Sequence, residues 1–302
     1  MITDTLFGLI AAKFPTHRMG QNKTLAALWR IPYYLLHPSE PFVMRTRDYR
    51  LYVYPRKGTL TRAVIRRGYW EPLETEIFIN LLTPGALIID AGANFGQYSL
   101  TAASLVGANG LVIGFEPHPE TYAMLAANRG LLPYKNFIAV EAGLGASDGT
   151  IDLYTDLGNP GGHSNYEWNR RDRGGNSCPV DIVSLDSYLS KRDDDRPVSV
   201  IKIDVQGAEM DVLRGAARTI EGDRPAVLCE VTPDALTGAG SGVEELLEFF
   251  SARDYRAEVI FPDAGKTEPM DYPRLLAFFA GSDAEYHDVL FRPSAPSAAN
   301  SQ

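Results

Sequence analysis

The stretch Leu87-Ile-Ile-Asp90-Ala-Gly92-Ala-Asn94-Phe-Gly96 decides the fold class of this chain. An apolar run ends in an acid and continues into a loop with two glycines, after which residues 98–105 follow a helical pattern. Glycines between a strand and a helix let the backbone approach a ligand closely, and free amides at a helix start favour an anionic group. The stretch therefore predicts a strand, a ligand-binding loop and a helix.

Similar units recur along the chain. Further apolar runs predict strands over residues 111–115, 137–140, 198–203, 226–229, 256–261 and 288–291. Helical patterns cover residues 120–128, 208–220 and 243–253. Strands that alternate with helices specify a largely parallel sheet covered on both faces, with the ligand crevice at the carboxyl ends of the strands. The predicted fold class is α/β.

The composition excludes several other classes of protein. Of the 302 residues, 45% are hydrophobic and 22% are charged, as in ordinary globular proteins. No apolar run approaches the roughly 18 residues that a membrane span needs, and the first ten residues do not resemble a secretion signal. Two cysteines, Cys178 and Cys229, are too few for a disulfide framework and have no metal-binding spacing. We therefore expect a cytoplasmic protein without a metal site.

Charge divides the chain unevenly. The first 70 residues contain 12 Lys and Arg against 3 Asp and Glu, whereas the rest is acidic. Such an asymmetry indicates a separate element or partner. We predict a basic helical and strand extension over residues 1–67, a main domain over 68–293 and a disordered tail over 294–302. The glycine-rich segment 158–175 has the length of a lid or substrate loop.

The loop after the first strand also indicates the cofactor. Its glycines do not follow the G-x-G-x-x-G spacing of dinucleotide sites, which leaves a NAD-dependent dehydrogenase as the weakest alternative. Asp90 has the wrong sign for a pyrophosphate and the right sign for a sulfonium or ammonium group, which favours S-adenosylmethionine. Glu116, followed by Pro117, ends the second strand, where an acid can accept hydrogen bonds from both ribose hydroxyls of an adenosine. Capping of the next helix is the alternative role of Glu116.

Three more motifs accompany the loop. They are Gly114-Phe-Glu-Pro-His-Pro-Glu-Thr-Tyr, Val183-Ser-Leu-Asp186, and Ile201-Lys-Ile-Asp-Val-Gln-Gly-Ala-Glu with Leu213-Arg-Gly-Ala. In this order and spacing the motifs resemble the FkbM-type methyltransferases, from about residue 68 to 293. The resemblance implies a seven-stranded class I methyltransferase fold, Rossmann-like and mostly parallel. It also implies S-adenosylmethionine as the methyl donor and O-methylation of a sugar, glycan or other secondary metabolite.

The resemblance also implies a cofactor site. Carried over residue by residue, that site consists of Asp90, Gly92, Ala93, Asn94, Gly96, Glu116 and Pro117, with adenine near Ala142 and Gly143. One position departs from the family pattern, because Gln206 stands where the family usually has Glu in Asp-Val-Glu-Gly. Glutamine keeps the hydrogen-bonding length but cannot take a proton, so it cannot be a base here.

Four residues are candidates for catalysis. A hydroxyl acceptor must lose its proton, which requires a base or a metal. Asp204 and Glu230 end two adjacent predicted strands and face the crevice. Lys202 points to the same side as Asp204, where it would lower the pKa of either acid or form a buried structural ion pair. His163 in the glycine-rich segment is a further candidate base, with a solvated loop histidine as the alternative.

Three functions remain open at this point. The leading prediction is an O-methyltransferase for a small molecule, and the basic residues between Arg45 and Arg67 suggest an anionic acceptor or an acidic partner subunit, including a homo-oligomer. An RNA methyltransferase would use the same basic segment, although the pI near 5.1 disfavours nucleic acid. A non-catalytic protein that binds S-adenosylmethionine is the third, for which Gln206 is the only indication.

Overall fold

The computed structural model describes residues 41–46, 48–53, 64, 70–154 and 177–294. The predicted basic extension is therefore described only in part, and the predicted tail only at Ser294. The glycine-rich segment 158–175 and the candidate base His163 lie outside the described residues.

The described strands form three sheets. In chain order they are β1 (Phe42–Arg45), β2 (Arg50–Val53), β3 (Leu87–Ala91), β4 (Leu111–Phe115), β5 (Phe137–Val140), β6 (Gly143–Leu144), β7 (Gly149–Tyr154), β8 (Ser177–Val183), β9 (Val198–Ile203), β10 (Ala226–Val231), β11 (Tyr255–Phe261), β12 (Lys266–Met270) and β13 (His287–Pro293).

Helices connect most of these strands. The described ones are α1 (Pro72–Leu81), α2 (Gln97–Val106), α3 (Pro119–Arg129), α4 (Leu185–Ser190), α5 (Glu209–Gly215), α6 (Ala217–Asp223), α7 (Pro233–Gly238), α8 (Val243–Ser251) and α9 (Tyr272–Gly281). None of the described helices is long and apolar enough to cross a membrane.

The central sheet has eight strands in the order β12-β11-β13-β10-β9-β3-β4-β5. The neighbours from β10 to β5 are all parallel, whereas β13 runs antiparallel to β10 and β11. The chain starts the sheet at β3, builds outward to β5, and then returns to add β9 on the other side of β3. Strand order reverses at this point, and ligands of open α/β sheets bind there. The predicted α/β class and mostly parallel sheet are confirmed.

Both faces of the central sheet are covered. On one face Ile89, Ile201 and Cys229 belong to a core that also contains Phe250 of α8. On the other face Ile88, Val200 and Leu228 pack with helix α2 and its surroundings. Parallel strands buried on both faces appear in a sequence as continuous apolar runs, which is why these strands could be predicted.

Two elements differ from the sequence prediction. The eighth strand, β12, pairs only with β11 and contains Pro269, as an edge strand can, and its polar sequence gives no strand signal. The helix predicted over residues 208–220 is two helices that meet at Ala216. At this break the backbone packs closely, since a Cβ at Gly215 would lie 1.9 Å from the carbonyl oxygen of Gly145.

Two small sheets complete the described structure. The hairpin β1-β2 belongs to the predicted basic extension, and its Tyr52 N–H donates to the side chain of Asn128 in α3. Asn128 in turn donates to the carbonyl oxygen of Phe95 at 2.8 Å, so the hairpin is tied to the loop after β3. The second small sheet, β6-β8-β7, follows β5 and supplies one wall of the cavity described next.

Candidate functional site

A cavity of about 270 Å³ opens at the carboxyl ends of β3, β4, β9 and β10. This size is near the ~300 Å³ at which small-molecule sites begin. The predicted site residues that line it are Gly92, Ala93, Asn94, Glu116, Pro117, Gly143, Asp204 and Glu230. The lining does not include Asp90, Gly96, Ala142 or Lys202, which lie behind it. The structure thus brings most of the predicted residues together.

The glycine loop is held against the end of β9. A Cβ at Gly92 would lie 1.9 Å from the carbonyl oxygen of Asp204, and the φ of Gly92 is 80°. The backbone N–H groups of Gly92 and Ala93 donate to the carbonyl oxygen of Phe115 at 3.1 and 2.9 Å. Asn94 has a φ of 51° and turns the chain into helix α2. Only glycine fits at position 92, because the loop must touch the neighbouring strand.

Asp90 supports the loop from inside the protein. Its side chain is buried and accepts a hydrogen bond from Ser99 Oγ at 2.6 Å, and it pairs in register with Lys202 of β9. Burial raises the pKa of Asp90 to about 6, although the hydrogen bond from Ser99 and the charge of Lys202 lower it. Its contact with a cationic ligand group stays a prediction.

Glu116 faces the cavity with both carboxylate oxygens engaged. Oε2 accepts the N–H of Asn94 at 3.0 Å and Oε1 accepts the N–H of His118 at 2.9 Å. Neither donor lies within helix α3, which begins at Pro119, so the hydrogen bonds of Glu116 are not those of a helix cap. Burial raises its pKa to about 7, while the two backbone N–H groups lower it. Each oxygen keeps a further lone pair for a donor such as a hydroxyl.

An apolar wall stands beside Glu116. It consists of Pro117, Gly143, Leu144, Ile151, Leu153 and Ile182, from the end of β4 and the small sheet. Ala142 is buried next to it without lining the cavity. Flat aromatic ligand groups are commonly bound between such apolar side chains. The wall lies where the sequence predicts adenine, and that assignment stays a prediction.

Lys202 is the centre of a buried ion-pair network. Its side chain is 1% exposed, and Nζ lies 3.4 Å from Asp288 Oδ1 and 3.8 Å from Asp204 Oδ2. Burial lowers the pKa of Lys202, but Asp288 and Asp204 outweigh this and hold it well above its usual value. Lys202 is therefore a buried cation that pairs with both acids. Sequence reasoning missed Asp288, because only the pairing of β13 with β10 brings it here.

Gln206 connects the two candidate acids. Its Nε2 donates to Asp204 Oδ1 at 3.1 Å and to Glu230 Oε1 at 3.0 Å. Thr232 Oγ1 also donates to Glu230 Oε1, at 3.3 Å. Burial raises the pKa of Glu230 well above its usual value, and the nearby Asp204 raises it further. The residue that departs from the family pattern thus joins the predicted catalytic carboxylates.

The segment before α1 also lines the cavity. Trp70 and Glu71 both line the cavity, and Tyr98 donates its hydroxyl to Glu71 Oε2 at 3.1 Å. Burial raises the pKa of Glu71 to about 8, and the negative charges of Asp288 and Asp204 act in the same direction. Sequence reasoning did not predict Glu71 or Tyr98 as site residues, because only the packing of the segment before α1 against α2 brings them together.

Metal binding receives no support from the described side chains. Within residues 41–46, 48–53, 64, 70–154 and 177–294, no group of three or more His, Cys, Asp or Glu side chains is placed to hold a metal ion. His163 is outside these ranges, so its role as a base stays a prediction.

The geometry agrees with a comparison against known families. The model of the methyltransferase FkbM domain matches residues 90–257, more than half of the chain. The chain belongs to this family. Membership confirms the resemblance seen in the sequence, the class I fold and S-adenosylmethionine as the cofactor of the domain. Trp70, Glu71, Tyr286 and Asp288 lie outside the matched range of the FkbM domain.

Three curated proteins are similar in sequence to part of this chain. Methyltransferase 1 of Beauveria bassiana is 28% identical, over 43% of this chain and 58% of its own length. Methyltransferase sdnD of Sordaria araneosa is 30% identical, over 44% and 61%. The hexuronic acid methyltransferase AglP of Haloferax volcanii is 27% identical, over 44% and 50%. The chain thus spans between half and about three fifths of the length of these relatives.

Two solved structures align with this chain at low identity. An FkbM methyltransferase from Methylobacillus flagellatus aligns over 77% of this chain and 52% of its own, with 14% identity and a TM-score of 0.39. A SAM-dependent O-methyltransferase from Thermotoga maritima aligns over 87% and 82%, with 13% identity and a TM-score of 0.39.

Proposed function

We propose that this FkbM-family chain is an O-methyltransferase that methylates a hydroxyl of a small molecule, a sugar, glycan or secondary metabolite. The observation that carries the proposal is the pair Asp204 and Glu230, two carboxylates joined by Gln206 in the cavity that also contains Glu116. A hydroxyl acceptor needs such a group, because its proton must leave when the oxygen is methylated.

The cavity fits S-adenosylmethionine in its chemistry. Glu116 would accept hydrogen bonds from the ribose hydroxyls, and the apolar wall with Ile151 and Leu153 would hold the adenine. The acids at the other end match a sulfonium and an ammonium group in sign. When bound, the cofactor supplies a methyl group whose bond to sulfur breaks, with the electron pair left on sulfur, as the acceptor oxygen bonds to the methyl carbon.

The residues of this chain would then orient the acceptor and receive its proton. Asp204 and Glu230 line the cavity as candidate proton acceptors, and Lys202 Nζ forms an ion pair with Asp204 Oδ2 at 3.8 Å. Alignment of the reacting groups can supply much of the rate enhancement of a displacement reaction. The walls from Trp70 and Glu71 would limit how an acceptor enters.

The relatives support an acceptor of this class. One of the three is named for methylation of a hexuronic acid, which is a sugar with a carboxylate. We propose that the acceptor of this chain is a sugar as well, and that it is anionic. The exposed Arg45 and Arg50, which face each other in the hairpin β1-β2, are consistent with that charge. The predicted cytoplasmic location and homo-oligomer stay predictions.

The experiment is a screen of hydroxyl acceptors with S-adenosylmethionine. Formation of S-adenosylhomocysteine together with an acceptor that gains one methylene in mass supports the proposal, and a new O-methyl signal in its NMR spectrum identifies the atom. Asp204→Asn should reduce kcat more than cofactor affinity, while the exposed Asp195→Asn serves as the matched control.

Two outcomes would contradict the proposal. Binding of S-adenosylmethionine without turnover of any hydroxyl acceptor would favour a non-catalytic protein. Methylation of RNA, with binding that weakens steeply as salt increases, would favour the nucleic-acid alternative.

A further inference from the structure

The two cavity carboxylates are not equivalent in their hydrogen bonds. On Asp204, Oδ1 accepts a hydrogen bond from Gln206 at 3.1 Å, and Oδ2 forms an ion pair with Lys202 Nζ at 3.8 Å. Glu230 receives both of its donors, Gln206 and Thr232, on Oε1. Within the described part of the chain, no donor forms a hydrogen bond with Glu230 Oε2. Oε2 can therefore accept from a ligand, and unlike Asp204 Oδ2 it forms no ion pair with Lys202 among the described residues.

We infer that Glu230 is the base of the reaction, through Oε2, and that Gln206 is the residue that positions it. This inference rests on the proposed O-methyltransferase function. The O–H bond of the acceptor breaks as its oxygen is methylated, and the proton passes to Glu230 Oε2. The carboxylate becomes a neutral carboxyl, which afterwards releases the proton to solvent.

An amide at position 206 is required for this arrangement. The side-chain NH₂ of Gln206 has two hydrogens and donates one to each acid, whereas a carboxylate there would accept only. Gln206 has a φ of 54°, and its Nε2 lies between Asp204, which follows β9, and Glu230 of β10. A Glu at this position would place a third negative charge between Asp204 and Glu230, and would remove the shared donor.

The groups around Glu230 make it a stronger base than an ordinary carboxylate. Charged groups from three directions act on it: Asp204 and Lys202 from β9, Asp288 from β13 and Glu71 from the segment before α1. Burial and the neighbouring acids raise its pKa, and Lys202 opposes them. Burial raises the pKa of the lining residue Tyr286, and Glu71, Glu230 and Asp288 raise it further. A raised carboxyl pKa lies closer to neutral pH, where general bases work best.

The first test compares carboxylate-to-amide variants. We expect Glu230→Gln to reduce kcat by about 10²-fold or more, and far more than it weakens the affinity for S-adenosylmethionine, as for loss of a general base. Glu244→Gln, an exposed Glu on α8, should retain full activity. Thermal unfolding of each variant checks that the fold is kept. Retention of kcat in Glu230→Gln would overturn the inference, and loss in His163→Ala would then identify the base.

The second test measures the proton directly, and its NMR titration needs no acceptor. In protein with ¹³C-labelled Glu carboxyls, the NMR signal absent from Glu230→Gln belongs to Glu230, and its titration should occur above the ordinary value of 4.5. In Gln206→Glu the titration should move to higher pH, and the acid limb of the kcat profile should move with it. Glu244→Gln should shift neither. A Glu230 signal that titrates normally, or does not respond to Gln206→Glu, would contradict the inference.

The two experiments separate this inference from the proposed function. If no hydroxyl acceptor is methylated, the proposed function fails. Glu230 then has no reaction in which to act as a base, even if its titration responds to Gln206→Glu. If product forms at the normal rate in Glu230→Gln, the inference alone fails and the O-methyltransferase stands.

Discussion

The side-chain amide of Gln97 exchanges two hydrogen bonds with the backbone of Trp70. The N–H of Trp70 donates to Oε1 at 2.8 Å, and Nε2 donates to the Trp70 carbonyl oxygen at 2.9 Å. Gln97 begins helix α2 directly after the glycine loop, and Trp70 precedes α1. This exchange fixes the outer wall of the cavity to the loop that is predicted to hold the cofactor.

Loss of the two hydrogen bonds between Gln97 and Trp70 should loosen the segment before α1 without creating a cavity in the hydrophobic core. In Gln97→Leu two backbone groups lose their partners, at about 1–3 kcal/mol for each buried group that stays unsatisfied. We expect a lower melting temperature and a larger increase in the KM of the acceptor than in the Kd of S-adenosylmethionine. The exposed Glu76→Ala on α1 is the control, and equal effects of the two variants would contradict this role.

Glu116 should determine affinity for the cofactor. Because Glu116 lines the cavity and its oxygens can still accept hydroxyl donors, Glu116→Ala should weaken S-adenosylmethionine and S-adenosylhomocysteine alike. Loss of hydrogen bonds to a charged group, at about 1.5–3 kcal/mol, corresponds to roughly a 10- to 150-fold increase in Kd. Calorimetry measures it, with the exposed Glu141→Ala as control. Unchanged affinity in Glu116→Ala would remove the ribose assignment.

Stability of the ligand-free protein should fall as the pH rises from about 4.5 to about 8. The folded state holds protons on Glu71, with its pKa of about 8, and on Glu116, with its pKa of about 7. The unfolded chain has already lost these protons above 4.5, and stability decreases with pH wherever the folded state binds more protons. The raised pKa values of Asp90 and Glu230 act in the same direction.

Glu71→Gln tests the contribution of Glu71 to this effect. Glutamine stays neutral and can still accept from the Tyr98 hydroxyl, so the variant should gain melting temperature relative to the native protein as the pH approaches 8. Glu141→Gln should follow the native protein at every pH. If the melting temperatures of Glu71→Gln and the native protein change equally with pH across this range, the pKa of Glu71 is not raised in the folded state.

Gly92→Ala should damage both the fold and cofactor binding. Its new Cβ would lie 1.9 Å from the carbonyl oxygen of Asp204, and the φ of 80° strains any other residue. The loop and β9 must separate, and we expect a clear drop in melting temperature. Gly222→Ala is the matched control, because its Cβ meets nothing within 4 Å and alanine favours helix α6 by up to about 1 kcal/mol. A Gly92→Ala protein as stable as Gly222→Ala would contradict the close packing.

The sequence predicts most strands of the sheet because they are buried on both faces and therefore appear as continuous apolar runs. The runs at β3, β9 and β10 are apolar on both faces and end in Asp90, Asp204 and Glu230, which places these acids at one edge. Apolar runs also located β4, β5, β11 and β13. The polar strand β12 could not be predicted, since an edge strand needs little apolar surface. These are local properties, and a sequence displays them directly.

The sequence by itself thus determined the family, the order of the elements and the acids at the strand ends. The tertiary structure alone decided which charged groups lie close enough to form ion pairs and to shift one another's pKa values. The antiparallel pairing of β13 with β10 brings Asp288 to Lys202. Two hydrogen bonds between Gln97 and Trp70 hold the segment before α1 at the cavity, which places Glu71 there. Contacts between residues far apart in the chain depend on how sheets and loops pack. Burial then shifts the pKa values, and no spacing along the chain encodes that.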